Sequence, residues 1–122
     1  MTSNLLLQKQ PLNKRIRIKN KNEFNDIIKK GFLFRSKNFR AFVLQETNLK
    51  VGFAVEKGEK AAVKNRQKRR LLEIFRLTIN RYDIQGHIIF IIMSKSIREK
   101  FSNLQIEFSD LLEKIKNNSR QL

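Results

Sequence analysis

Residues 64–70 form the densest group of side chains in this chain that could bind a ligand. The run Lys-Asn-Arg-Gln-Lys-Arg-Arg places five cations and an asparagine in seven residues, and a largely apolar stretch, residues 71–75, follows it directly. Clustered like charges repel one another, so such a run persists in a folded protein mainly where a polyanion neutralises it. Arginine suits this task because its planar guanidinium donates two parallel hydrogen bonds to a phosphate. The run therefore predicts a phosphate-binding surface.

The chain offers few groups for covalent catalysis or metal binding. It has no cysteine, which excludes disulfides and thiolate metal sites. It has one histidine, His87, whose place at the start of an apolar run favours a structural role. The eleven acidic residues form no pair at catalytic spacing, and no phosphate-binding loop motif is present. We therefore expect no catalytic residue and no metal ligand on the polypeptide.

The positive charge is large and unevenly distributed. The 122 residues carry 27 Lys and Arg against 11 Asp and Glu, a formal net charge of +16. Residues 1–40 contribute +9 (eleven cations, two acids), residues 57–70 contribute +6 (seven, one) and residues 71–122 contribute +2 (eight, six). Such a field attracts nucleic acid or an anionic membrane. Because the longest apolar run, residues 88–93, cannot span a bilayer and no signal peptide is recognisable, we expect a cytoplasmic protein without a membrane partner.

The spacing of apolar residues predicts the elements that must hold the basic run. Three stretches have helical spacing: residues 21–30, 61–82 and 97–116. Two strand-like runs, residues 39–45 and 49–56, are joined by a short link that predicts a hairpin. Residues 87–93 are continuously apolar, which is the pattern of a strand covered on both faces.

These elements predict one domain. Their order, α-β-β-α-β-α, indicates a two-layer α/β sandwich over residues 16–117. A flexible basic arm, residues 1–15, precedes it, and a tail, residues 118–122, follows it.

The helix predicted over residues 61–82 has two distinct faces at 100° per residue. The core face collects the apolar positions and one threonine: Leu71, Ile74, Phe75, Thr78, Ile79 and Tyr82. The opposite face collects Asn65, Arg66, Arg69, Arg70, Glu73, Arg76 and Asn80. Four arginines are thus predicted to project from one exposed side, where Glu73 offers the one local compensating charge. Lys64 and Lys68 lie near the helix start, from where their long side chains can reach the rim of this surface.

The basic run also carries a family resemblance. Residues 62–70, Ala-Val-Lys-Asn-Arg-Gln-Lys-Arg-Arg, resemble the Arg-Asn-Arg-x-Lys-Arg signature of the bacterial ribonuclease P protein subunit. The stretch from Arg17 to Gly31 resembles the opening of that family, and residues 51–55 resemble its second strand; together the matches cover about residues 15–115. Gln67 stands where the family usually has an apolar residue. Leu72 stands where the family often has a cation, a contact that Arg70 or Arg76 could supply.

The resemblance implies a fold and an activity. The fold would be an α+β sandwich like the second domain of ribosomal protein S5, with a central mixed sheet. Its β-α-β crossover would be left-handed, although right-handed crossovers are the general rule. The chain would be the non-catalytic protein subunit of an RNA-based endoribonuclease that removes the 5′ leader of precursor tRNA. The catalytic RNA would hold the Mg²⁺ ions, the protein would bind no cofactor tightly, and the partners would be that RNA and precursor tRNA, with no DNA expected.

The resemblance also implies two groups of site residues. The catalytic RNA would be contacted by Lys64, Asn65, Arg66, Lys68, Arg69, Arg70 and Arg76. The single-stranded leader would be held by Phe24, Phe42 and Ile28 with neighbouring cations Arg17, Lys19 and Lys57, since unpaired bases pack on aromatic faces beside cations. The alternative for Phe24 and Phe42 is simple core packing, which we expect for Phe39, Phe53, Phe75, Phe90, Phe101 and Phe108.

Two other functions use the same features. One is a structural, ribosomal-type RNA-binding protein without a tRNA substrate, and the other is a DNA-binding protein that places the basic helix in a groove. Residues 50–55 also resemble part of an RNA-recognition motif, but the second aromatic residue and the partner strand motif are missing.

Overall fold

The computed structural model describes residues 16–58 and 60–119. Within that part of the chain the helices are α1 (Lys21–Lys30), α2 (Ala61–Thr78) and α3 (Phe101–Ser119), and the strands are β1 (Phe32–Arg35), β2 (Phe39–Leu44), β3 (Leu49–Val55) and β4 (Gly86–Ile92). Short 3-10 helices follow α2 (Ile79–Arg81) and β4 (Ser94–Arg98). The predicted α+β class is confirmed, and β1 is an element that the sequence analysis omitted. The arm over residues 1–15 and the end of the tail, residues 120–122, lie outside the described residues.

The four strands form one mixed sheet in the order β1-β2-β4-β3. β2 pairs antiparallel with β1 and with β4, whereas β3 pairs parallel with β4. The predicted hairpin between residues 39–45 and 49–56 is therefore wrong, because β4 lies between those two strands. The hairpin partner of β2 is β1, through a tight turn in which the Ser36 N–H donates to the Phe39 carbonyl at 3.0 Å. The parallel pair is joined through α2 as a β-α-β crossover, whose hand stays a prediction from the resemblance.

The main core lies between the sheet and the helices α2 and α3, which pack on one face of it. Because side chains alternate along a strand, Phe39, Ala41 and Val43 of β2 face this core and are buried. Four phenylalanines meet at its centre with ring centroids 5.0–6.4 Å apart: Phe53, Phe75, Phe90 and Phe108. The six phenylalanines that the sequence assigned to packing are buried, apart from Phe101, which is partly buried against the same core.

The opposite face of the sheet is covered in part by α1. This helix begins at Asn20, whose side chain accepts hydrogen bonds from the N–H groups of Asn22 and Glu23 at 2.8 and 3.3 Å, as an N-cap residue does. Ile27 of α1 packs with Ile18 and Ile89 in a second, smaller buried cluster. The sheet therefore has a fully covered face and a partly covered face.

Residues 16–18 protect the outer edge of β3. The Ile18 N–H donates to the Val51 carbonyl at 2.7 Å, and the Val51 N–H donates to the Ile16 carbonyl at 2.6 Å. Unpaired edge strands invite association with other chains, and this short segment covers the edge of β3 at Val51.

A carboxylate on α3 fastens the β1–β2 turn to the core. Glu107 accepts hydrogen bonds from the Asn38 N–H at 2.6 Å, the Asn38 Nδ2 at 2.8 Å and the Ser36 hydroxyl at 2.5 Å. The Asn38 carbonyl in turn accepts from the Met93 N–H at 2.9 Å. Asn38 is 3% exposed, so its polar groups depend on these partners rather than on water.

Candidate nucleic-acid interface

The two faces of α2 largely follow the sequence prediction. Leu71, Ile74, Phe75 and Thr78 are buried, and the Thr78 hydroxyl donates to the Ile74 carbonyl at 2.6 Å. The 3-10 turn that follows carries Ile79, which packs partly buried against the same core, as does Tyr82 just after it. The exposed positions of the basic run are Asn65, Arg66, Lys68 and Arg69, while Lys64 is half-buried. These exposed residues form what we call the basic surface.

The first half of α2 has little intrinsic support as a helix. Its N-cap residue, Lys60, makes no side-chain capping hydrogen bond, and its first turn contains no acidic residue. The amino end of a helix carries a partial positive charge, so cations there are unfavourable and carboxylates favourable. Because buried side chains of α2 begin only at Gln67, the turns that carry the basic surface must be held by contacts near that residue.

Arg70 does not project from the exposed side, and that part of the prediction is wrong. Its guanidinium is turned inward, where it donates to the side-chain oxygen of Gln67 at 2.9 Å and to three backbone carbonyls of the β4–α3 connection: Ser96, Ile97 and Glu99. Burial lowers the pKa of Arg70 from its usual value, and repulsion from Arg66 lowers it further. Its charge is engaged within the protein, so we leave it out of the basic surface.

Gln67 is a buried polar residue that the sequence analysis did not single out as structural. Its Nε2 donates to the Ser96 hydroxyl at 2.6 Å, and that hydroxyl donates to the Met93 carbonyl at 2.6 Å. Gln67 and Ser96 are both fully buried. A signal was available, since Gln67 lies four residues before Leu71 and seven before Ile74, the spacing of one helix face.

Arg76 is also less available than predicted. Its guanidinium pairs with the Glu73 carboxylate at 3.1 Å, one turn away on α2, and its Nε is buried without a hydrogen-bond partner. Arg70 and Arg76, two of the four arginines predicted to project from the exposed side of α2, are thus engaged by groups of the protein itself. The unpaired positive charge lies towards the beginning of the helix.

A second candidate surface lies on the partly covered face of the sheet. Phe24 and Ile28 on α1 and Phe42 on β2 are partly buried against the small cluster, so the structure brings together the three apolar residues predicted to hold a single strand. The Phe24 ring lies directly over Gly52 of β3: a Cβ there would stand 3.0 Å from Phe24 Cε2. Each residue retains exposed area, and together they line what we call the groove.

The floor of the groove continues towards the carboxyl end of β4. Arg40 and Ala54 flank Ile91 in register, and all three are half-exposed. At this end the Glu56 carboxylate accepts from the Ser94 hydroxyl at 2.7 Å and the Ser94 N–H at 3.1 Å. These hydrogen bonds, with a smaller contribution from the nearby charges of Arg40 and Lys95, hold the pKa of Glu56 below its usual value.

The cations predicted to accompany the groove are not all there. The Arg17 guanidinium lies 5.7 Å over the ring of Phe53, a residue of the main core on the other face of the sheet. The prediction that groups Arg17 with Phe24 and Phe42 is therefore wrong. Lys19 is exposed directly before the cap of α1, and Lys57 is exposed two residues after the end of β3.

One end of the sheet carries most of the positive charge of its connections. The described residues of the connections beside the carboxyl end of β4, which are residues 36–38, 56–58, 60 and 93–100, contain six cations and two acids, for +4. Those at the other end, residues 45–48 and 79–85, contain one cation and two acids, for −1. The basic surface adds four residues to the first end without an acid among them.

Two further properties of the described residues bear on chemistry. None of their helices is both long and apolar enough to cross a membrane. Nor do they gather three or more His, Cys, Asp or Glu side chains into a group that could hold a metal ion.

Comparisons with known proteins agree on one family. The family model described as Ribonuclease P matches residues 12–116. The chain is 32% identical over 100 residues to the ribonuclease P protein component of a Nitratiruptor species, covering 81% of this chain and 91% of that protein. It is likewise 32% identical over 98 residues to the component of Finegoldia magna, covering 79% and 85%.

Solved structures share the fold. The RNase P protein of Staphylococcus aureus superposes with a TM-score of 0.71 at 23% identity, covering 84% of this chain and 98% of that one. The RNase P protein of Thermotoga maritima gives a TM-score of 0.71 at 24% identity, covering 81% and 96%.

Proposed function

Because the chain belongs to the ribonuclease P protein family, we propose that it binds the catalytic RNA through the basic surface of α2 and the 5′ leader of precursor tRNA through the groove. The RNA partner would hold the Mg²⁺ ions that activate water, and the protein would promote endonucleolytic removal of the leader by position and charge. The observation that carries the proposal is the pairing of two different surfaces on one small domain. One is cationic and exposed, and the other is aromatic, apolar and half-exposed.

The basic surface is suited to a folded RNA. Asn65, Arg66 and Arg69 project from a helix whose other face is packed in the core, so their spacing is fixed by the backbone. Arginine forks bind phosphate oxygens in pairs, and each neutralised phosphate releases counterions. The surface therefore supplies affinity and orientation rather than sequence recognition.

The groove is suited to an unpaired strand. A base can stack on the exposed part of Phe24 or Phe42, and base–aromatic stacking contributes about 1–3 kcal/mol per base. Arg40 and Lys57 lie at its open end, where a backbone phosphate would pass. Only precursor tRNA carries a leader, so this contact favours substrate over product.

Reconstitution tests the proposal as a whole. Adding the protein to ribonuclease P RNA at low Mg²⁺ should restore 5′ processing of precursor tRNA. RNA binding with no gain in cleavage would instead support the structural RNA-binding alternative, and equal competition by duplex DNA would support the DNA-binding one.

The helix assignment has its own test. Replacing Arg66 and Arg69 by Ala should weaken binding to the catalytic RNA and flatten the plot of log affinity against log salt by about 0.9 per lost phosphate contact. Arg81→Ala is a matched control, because Arg81 is exposed in the connection between α2 and β4, at the end of the sheet away from the basic surface. An equal loss of slope in the control would contradict a localised surface.

The groove assignment is tested by discrimination. Phe24→Ala should reduce the preference for precursor over mature tRNA by roughly 5- to 100-fold, the range that one stacked base gives. Phe32→Ala is the control, since Phe32 is 59% exposed and lies outside the groove. A parallel loss of affinity for both tRNAs would count against leader binding.

A further inference from the structure

The turns of α2 that carry the basic surface pose a stability problem for the free protein. They lack a capping side chain and a first-turn carboxylate, and their cations repel one another and the positive end of the helix. A helix start of this kind frays readily unless tertiary contacts hold it. The core contacts of Leu71 and Ile74 lie one to two turns farther along.

A polar network supplies the missing hold. Gln67 and Arg70 lie on the inner side of the basic run and bind the β4–α3 connection together: Gln67 through the Ser96 hydroxyl, and Arg70 through the carbonyls of Ser96, Ile97 and Glu99. The two side chains also bind each other at 2.9 Å. A single guanidinium thus joins α2 to the end of the 3-10 helix that follows β4.

We propose that Arg70 and Gln67 are positioning residues that keep the first half of α2 helical before RNA arrives, so that the basic surface is preformed. This inference rests on the proposed role of that surface in RNA binding. Preformed binding groups spare the complex the entropy of ordering them. Loss of the network should therefore weaken RNA binding without removing any phosphate contact.

The Arg70→Met variant tests whether Arg70 positions the start of α2 or contacts the RNA directly. Amide hydrogen exchange of the free protein should speed up over residues 62–69 while the amides of β4 keep their protection. Affinity for the catalytic RNA should fall by roughly 2- to 10-fold, the cost of ordering about one more side chain on binding, and the salt slope should stay that of the wild type. Arg66→Ala should do the reverse, with a reduced salt slope and amide exchange over residues 62–69 no faster than in the wild type, because it removes a repelling cation.

A triple variant removes the network as a unit. Gln67→Leu, Arg70→Met and Ser96→Ala together replace its three side chains with apolar ones, but they leave the backbone carbonyls that Arg70 and Ser96 bound without those donors. Because the contacts that hold the start of α2 are then all absent, amide exchange over residues 62–69 should be at least as fast as in Arg70→Met, and the salt slope should stay that of the wild type. If the triple variant folds poorly, the comparison of Arg70→Met with Arg66→Ala still decides whether Arg70 positions the helix or binds phosphate.

Two results would overturn the inference. One is a salt slope in Arg70→Met reduced by a full contact with unchanged exchange, which would make Arg70 a phosphate ligand. The other is unchanged exchange together with unchanged affinity. The hydrogen-exchange result tests the positioning role of Arg70 in the free protein, without RNA. Failure of the proposed function would instead appear as normal RNA binding by the Arg66 and Arg69 variants. The two failures are therefore distinguishable.

Discussion

The carboxylate of Glu107 offers a sharp test of what holds the β1–β2 turn in place. Glu107→Ala leaves three donors without their partner. Two of them belong to Asn38, which is 3% exposed and cannot readily turn to water, whereas the Ser36 hydroxyl is half-exposed and can. A buried donor left unsatisfied costs about 1–3 kcal/mol, so the loss of partners for the two Asn38 groups should lower the unfolding free energy by about 2–6 kcal/mol.

This loss is large on the scale of a small domain, whose unfolding free energy is about 5–15 kcal/mol. For a domain of this length each 1 kcal/mol lowers Tm by about 4–8 °C. Urea unfolding followed by circular dichroism should show a lower midpoint with an unchanged slope. Glu107→Gln, which keeps one acceptor oxygen, should lose about half as much.

Glu113→Ala is the matched control, because Glu113 lies on the exposed side of the same helix. If Glu107→Ala and Glu113→Ala unfold within about 0.5 kcal/mol of each other, the range of ordinary surface substitutions, the three hydrogen bonds do not fasten the turn and the reasoning fails.

Three other changes probe the groove and its surroundings. Gly52→Ala puts a Cβ 2.6 Å from Ile89 Cδ1 and 3.0 Å from the Phe24 ring, which should lower the free energy of unfolding by about 1–3 kcal/mol. In filter-binding assays it should also reduce the preference for precursor over mature tRNA, while affinity for the catalytic RNA stays unchanged. Ser94→Ala removes the main cause of the lowered pKa of Glu56. A carboxyl whose pKa is lowered in the folded state stabilises the fold above its usual pKa, and this stabilisation is lost as the pH falls through the folded-state pKa. The difference in Tm between Ser94→Ala and the wild type should therefore be full at neutral pH and shrink below about pH 4. A difference in Tm that does not depend on pH would refute this. Arg17→Ala should leave tRNA discrimination unchanged in the same binding assay, since its guanidinium lies over Phe53, and a loss equal to that of Phe24→Ala would restore it to the groove.

The strand pairing shows where local sequence information ends. Residues 87–93 were predicted as a strand covered on both faces, and β4 is an inner strand of the sheet. A strand covered on both faces can lie between β2 and β3, yet the short link over residues 46–48 predicts that β2 and β3 pair directly with each other. Turn length reports what is near in sequence, whereas the insertion of β4 depends on contacts formed 40 residues later. β1 has only four residues, too few for a clear alternating pattern.

The site shows a similar limit on one helix. At about 100° per residue Arg70 lies about 40° from Ile74, at the border between the core face and the exposed face. Periodicity placed it with the exposed arginines because arginine is usually solvated. The carbonyls that receive it come from the connection after β4, whose position no pattern within α2 can indicate. Arg66 and Arg69 lie farther round the helix, and their exposure was predictable.

The uneven charge of the two ends of the sheet has a consequence for how fast this protein finds RNA. Connections that are cationic at one end of the sheet and slightly acidic at the other favour one orientation of the molecule in the field of a polyanion before contact. On the proposed function, encounters would then begin with the basic surface and the neighbouring end of the groove facing the phosphates, which would raise the association rate above that of random collision. This advantage depends on long-range forces, so it fades as dissolved salt shortens their reach.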